Sequence, residues 1–522
     1  MDFSELKKLL VFNNIKEIEG RKTQIGTYSF IPKTRLSSTA NRLNSTWIRA
    51  QFIILNEVQT EDDITEDINK WINLSILSDQ YLLMNIDTKG WFIYDSTGSC
   101  LGGESVIAEK LGLNQYSYNK NSNVPENITC AMRTKPFLLL AGISGTGKSR
   151  IVKQMAFESC PDRADLREDP TSPGNYCLIE VKPNWHDSTE LLGYESKIGG
   201  DHYVLTPFVK FLAKAMLYPE VPFFVCLDEM NLAPVEQYFA EVLSVIESRT
   251  KIGGHVLSEP LIKADIFKKY NLQKSLFSKG ENANTYLDAH STVEPQAEYG
   301  IENEVYQTLT EQGLRIPENI VIIGTVNMDE TTHQFSRKVI DRAMTIERNL
   351  PEGTDVEGNA INPFKAFFEN SSELAYREEP TLPSLYLAKE TKASDVLKKL
   401  TENNAEKTEW LKEKVAEFLT DLNSTLDGTP FKVAYRVQNE LILYFYQLWC
   451  ENKDARWRDI LTTSIDQILM MKVLPRIEGD EELLEKPLES LISFCEPYPD
   501  ASKKLKEMQT RLKQSRFASF WP

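Results

Sequence analysis

The chain has 522 residues, 41% hydrophobic and 26% charged, with a formal net charge of −17; this is too long for one core and fits roughly two to four domains. The acidic balance argues against a surface that coats nucleic acid throughout, though not against a local basic patch. Seven cysteines without a CxxC pair and five scattered histidines argue against zinc or a disulfide framework and for a reducing cytoplasm, while the absence of a run of about 18 apolar residues argues against a membrane span and residues 1–14 against a signal peptide.

Residues 1–118 read as a small α+β domain. A helix is expected at 2–10, a strand at 47–55, and a hairpin whose strands, 81–85 and 91–94, flank Asp87-Thr-Lys-Gly90. Between Arg21 and Arg49 lie six cations, Arg21, Lys22, Lys33, Arg35, Arg42 and Arg49, with no acid among them and with Tyr28, Phe30 and Trp47 interleaved. Cations and aromatics together suit phosphate contact and base stacking; a solvated face over core aromatics is the alternative. Residues 119–130 read as a linker, overlapping the Asn-, Ser- and Tyr-rich stretch 115–125.

From 131 to 350 short apolar strands alternate with helical periods, the pattern of a parallel α/β sheet. Strands are expected at 137–141, 176–181, 221–227, 320–325 and 344–346, with a polar, partly disordered insertion at 253–318. Residues 351–522 read as an all-helical lid and tail, with helices at 410–422, 437–449 and 462–473.

Gly142-Ile-Ser144-Gly145-Thr146-Gly147-Lys148-Ser149 fits the GxxxxGK[ST] phosphate loop between a strand and a helix. Its glycines let backbone N–H groups converge on phosphate oxygens at a helix N-terminus. Lys148 is expected on the β- and γ-phosphates and Ser149 on Mg²⁺. Residues 223–229 form an apolar strand ending in Asp228 and Glu229. Asp228 is expected to hold the metal through water and Glu229 to polarise the attacking water. Asn327 ends another apolar strand, where it orients the water or touches the γ-phosphate, or serves as a turn residue. Pro161-Asp162 with Glu180-Val-Lys182 imitates a Mg²⁺ nuclease pattern, but Glu180 and Lys182 fall on or beside a strand of the nucleotide core, and the chain is read as lacking a nuclease.

These motifs, with residues 181–194, 227–233, 324–329, 335–342 and 472–476, resemble the AAA+ ATPase superfamily, in the branch holding McrB-like restriction NTPases, MoxR and the dynein-related modules. The resemblance implies an α/β P-loop core with a five-stranded parallel sheet of order 5-1-4-3-2, a β-hairpin insert near 199–206 and a helical lid. It implies a ring, most often a hexamer, in which an arginine acts across the subunit boundary. Arg342 matches that place, with Arg337 second; Arg436 resembles a lid sensor, or else pairs with a nearby acid. It also implies Mg²⁺, ATP or GTP as substrate, and a motor in a DNA-restriction or phage-defence complex with a separately encoded nuclease and DNA held by residues 1–118. A MoxR-like ATPase that remodels proteins is the alternative.

Overall fold

The computed structural model describes the strands of residues 1–117, then residues 119, 122–162, 166, 172–252, 254–277, 300–328, 335–348, 374–377 and 379–521. The chain divides into two compact units, Met1–Ser117 and Tyr118–Pro522.

In the first unit, β1 (Glu17–Ile18), β2 (Ser29–Pro32), β3 (Trp47–Ile54), β4 (Leu82–Ile86), β5 (Gly90–Tyr94) and β6 (Cys100–Gly102) form one antiparallel sheet. β1 and β2 both pair along β3, and β4 and β5 make a hairpin closed at Ile86 and Gly90, in agreement with the turn signal of Asp87-Thr-Lys-Gly90. Arg49 lies on β3 opposite Phe30. Arg21, Lys22, Lys33, Arg35, Arg42 and the helix expected at 2–10 lie outside the described residues.

The second unit opens with helix α1 (Glu126–Thr134) and is built on a parallel sheet of β7 (Phe137–Gly142), β8 (Tyr176–Glu180), β11 (Phe223–Asp228), β16 (Ile320–Asn327) and β17 (Met344–Glu347). The spatial order runs β17-β7-β16-β11-β8. Six short strands intervene in the chain: β9 (Tyr194–Ser196), β10 (His202–Val204), β12 (Thr250–Ile252), β13 (His255–Leu257), β14 (Pro260–Ile262) and β15 (Leu314–Arg315). They pair antiparallel as β9–β10, β12–β13 and β14–β15. The expected order 5-1-4-3-2 counted five strands, whereas eleven are described from Phe137 to Glu347. Numbered through every strand from Phe137 onward, the sheet reads 2-5-10-1-11.

The central strands are buried on both faces, so they read as unbroken apolar runs. Their alternate side chains separate onto two cores. Leu138, Leu140, Phe224, Cys226, Val321 and Ile323 face one core, and Phe137, Leu139, Phe223, Val225, Ile320 and Ile322 face the other. The first core is shared with α2 (Lys148–Ser159) and the C-terminal helices. The second is closed by α3 (Thr189–Leu192), α4 (Pro207–Leu217), α5 (Val235–Tyr238) and α6 (Ala240–Glu247).

The segment 253–318, expected as a polar insertion, holds α7 (Ala264–Tyr270), α8 (Gln273–Phe277) and α9 (Gly300–Gln312) beside the small strands. Phe267, Leu276 and Leu309 anchor these helices in the second core. α10 (Arg337–Ile340) leads into β17. The lid then runs through α11 (Ala393–Asn403), α12 (Ala405–Thr425), α13 (Tyr435–Glu451), α14 (Trp457–Ile468), α15 (Glu481–Phe494) and α16 (Pro499–Ser515). It is not all-helical: β18 (Glu478–Asp480) pairs antiparallel with β19 (Phe517–Ser519). Ala518 and Phe520, on and beside β19, are buried in the first core, which explains why the tail turns back as a strand.

Candidate nucleotide site

The C-terminal ends of β7, β11 and β16 lie side by side and present the motif side chains together. β7 ends at Gly142, the loop 143–147 follows, and α2 begins at Lys148. Gly145 and Gly147 have φ of 79° and 76°, which a side chain would strain. A Cβ added at Gly145 would meet nothing within 4 Å, so its backbone is open to a close approach. Gly142 is needed for space as well as backbone: at φ 151° an added Cβ would lie 2.3 Å from the Arg348 carbonyl oxygen. Ser144 and Gly145 are exposed, and the Thr146 hydroxyl donates to the Ile143 carbonyl at 3.0 Å.

Lys148 is only 5% exposed. Its ammonium donates to the carbonyls of Gly142 at 2.9 Å and Ile143 at 2.7 Å. A cation held at the floor of an open loop can exchange neutral acceptors for phosphate oxygens, which give stronger, charge-assisted bonds. Ser149 donates to Asp228 Oδ1 at 2.6 Å, and Thr325 donates to the same oxygen at 2.7 Å. The hydroxyl and the carboxylate are hard oxygen donors of the type that suits Mg²⁺.

Glu229 has φ 51°, a left-handed conformation that costs a non-glycine residue about 1–2 kcal/mol. Two bonds hold this turn in place. The Glu229 backbone N–H donates to Thr325 Oγ1 at 3.0 Å, and Asn327 Nδ2 donates to Glu229 Oε1 at 2.9 Å. Strained residues held by their surroundings cluster at functional sites. The two neighbouring carboxylates are thereby separated in direction, Asp228 toward Ser149 and Glu229 toward Asn327.

Sequence reasoning missed Thr325 and Arg348. Thr325 stands two residues before Asn327 on the same face of β16, and that period-two spacing could have found it. Arg348 follows β17; its Nε donates to the Thr146 carbonyl at 3.2 Å, and burial lowers its pKa from the usual 12.5. No local pattern announces this residue.

The three candidate arginines lie apart from the loop motif in sequence, at the seam with the lid. Arg337 Nη1 donates to the Pro430 carbonyl at 3.0 Å, and its guanidinium lies 5.2 Å from the centre of the Phe431 ring. Arg436 pairs with Glu247 at 2.8 Å and lies 3.9 Å from Asp341, so both acids stand beside it. Arg342 is half-buried, and its Nε has no hydrogen-bond partner among the described residues. Glu180, of the nuclease-like pattern, ends β8 with its Cα paired to that of Asp228.

Among the described residues no helix is long and apolar enough to cross a membrane. Residues 388–517, which lie in the lid, match a family described as a domain of unknown function (DUF8727). A search of curated proteins finds no match for the chain.

Proposed function

We propose that the second unit binds and hydrolyses a nucleoside triphosphate, ATP or GTP, with Mg²⁺. The observation that supports this most is the convergence on adjacent strand ends of Lys148 and Ser149, Asp228, and the Glu229–Asn327 pair. Lys148 and the loop N–H groups hold the phosphates, and α2 adds the positive end of its dipole. Ser149 and Asp228 hold Mg²⁺, which supplies neutralisation of the charge on the transferred phosphoryl group. Glu229 takes up the proton of the attacking water, and Asn327 fixes the carboxylate that does so.

The McrB-like resemblance extends this reading to a cytoplasmic ring, a hexamer, that serves as the motor of a restriction or phage-defence complex with a separate nuclease and with DNA at residues 1–118. Arg342 then acts in the neighbouring subunit's site. The test is phosphate release from ATP and from GTP, side by side, with Mg²⁺ or with chelator, with and without DNA. Mg²⁺-dependent turnover of one nucleotide supports hydrolysis, and stimulation by DNA supports the restriction role. Turnover indifferent to DNA moves the assignment to protein remodelling.

A further inference from the structure

α10 has four residues, too few to satisfy its own C-terminal carbonyls, and Arg342 stands in the turn that follows it. The last carbonyl of α10 and two carbonyls of the turn after it are bound from the lid. Lys472 Nζ donates to Ile340 O at 3.2 Å, Asp341 O at 2.8 Å and Ala343 O at 2.7 Å. An ammonium has three protons, so all three are engaged, on both sides of Arg342. Lys472 lies in a π turn, Leu469–Val473, that follows α14; such widened turns occur preferentially at functional sites.

Glu440 on α13 balances the charge: its carboxylate lies 3.0 Å from Lys472 and 2.7 Å from Lys135, which follows α1. Lys472 and Glu440 side chains are 1% and 3% exposed. Asp341 is gripped from the lid as well, by Arg476 at 3.3 Å and Arg436 at 3.9 Å. The segment around Arg342 is thus held from the lid by Lys472 through its backbone and by Arg476 and Arg436 through the Asp341 carboxylate, while Arg342 Nε keeps no partner among the described residues. An ion pair this deeply buried is weak evidence of a purely stabilising purpose, because apolar packing of similar volume stabilises as well or better. What the ammonium adds is direction, three bonds to the backbone of one short segment.

We propose that Lys472, held by Glu440, is a positioning residue that sets the Arg342 segment from the lid, so that lid placement governs delivery of Arg342 to the neighbouring subunit. The inference rests on the hydrolysis reading and deepens it: the lid of one subunit controls turnover in the next. A catalytic group displaced by about 1 Å loses on the order of 10²-fold in rate, which sets the scale of the effect.

The test uses the full chain. Lys472→Met should leave nucleotide affinity within about two-fold and lower kcat by roughly 10- to 100-fold. Mixing then separates positioning from general damage. Lys472→Met subunits, impaired only as arginine donors, should recover turnover with Glu229→Gln subunits, which still donate Arg342. They should not recover with Arg342→Ala subunits, since neither then donates. Failure with Glu229→Gln, or recovery with Arg342→Ala, overturns the proposal. Glu440→Gln, near-isosteric, undergoes the same mixing test if the methionine variant does not fold. Wild-type chain that hydrolyses nothing overturns the underlying reading instead. Wild-type turnover without recovery in the Arg342→Ala and Glu229→Gln control mixture removes the trans role of Arg342, and the positioning role with it.

Discussion

The loop proposed to cradle phosphate and the seam between core and lid are both built from buried charge, but they hold it differently. In the cradle, Lys148 rests on carbonyls of its own loop, five and six residues away. At the seam, Lys472 rests on carbonyls about 130 residues earlier in the chain. The loop side is open, with Ser144 and Gly145 exposed, whereas Lys472 and Glu440 are enclosed. A cation over an open loop is placed to receive a ligand. A cation enclosed between two elements is placed to tie them together.

The contrast is sharpest at the arginines. Arg342→Ala should lower turnover by on the order of 10³-fold, the lower end of the range for an arginine that stabilises phosphoryl transfer from a neighbour, with assembly intact. Arg337→Ala should change turnover far less, because its guanidinium is already engaged by Pro430 and Phe431. Phosphate-release rates with sizing of the assembly check both, and equal losses would erase the distinction.

Next in size is the stability of the seam. Burial acts to raise the Glu440 pKa, but the ammoniums of Lys135 and Lys472 outweigh it and hold the carboxyl below its usual 4.5. A depressed carboxyl contributes stability that is full above the unfolded value and is lost as pH falls through the lower folded value. Glu440→Gln should therefore cost about 3 kcal/mol near neutrality, as a broken buried pair does. The gap to wild type should close below pH 4.5. Thermal melts from pH 7 to pH 3 measure it; a constant gap would show that the pair's charge is not the cause.

In the cradle, Lys148→Ala should weaken nucleotide binding by about 10- to 100-fold, the worth of one or two charged hydrogen bonds, and leave the melting temperature of the free chain nearly unchanged. Titration with a fluorescent nucleotide checks it. The smallest effect is steric. Gly142→Ala places a Cβ 2.3 Å from the Arg348 carbonyl, and should destabilise by about 1–3 kcal/mol as overpacking does. A denaturant midpoint equal to wild type would mean that β17 yields freely.

What is legible in the sequence follows the same division. Lys148 with Ser149 and Asp228 with Glu229 are neighbours in the chain, so strand-and-loop chemistry exposes them before any fold is known. Asn327 is legible because it ends an apolar run, while Thr325, buried inside that run, is hidden by it. The five long strands are readable from their apolar stretches. The six short ones are not readable from their own residues, since three residues such as His202–Val204 carry too little periodicity; only the β9–β10 hairpin is anticipated, through the family resemblance. β19 escapes for the same reason, which is why the lid is expected to be wholly helical. Lys472 stands in a recognisable motif, but its role lies in contacts with Ile340 and Ala343 that no local pattern encodes.

The central claim is that Glu229, held by Asn327 in a left-handed turn, activates water at a bound nucleotide. The most direct measurement is nucleotide bound and phosphate released on the same samples of wild type and Glu229→Gln. The expected result is equal binding, with release at least about 100-fold slower in the variant, the scale of a lost general base. Equal release from both would contradict the account.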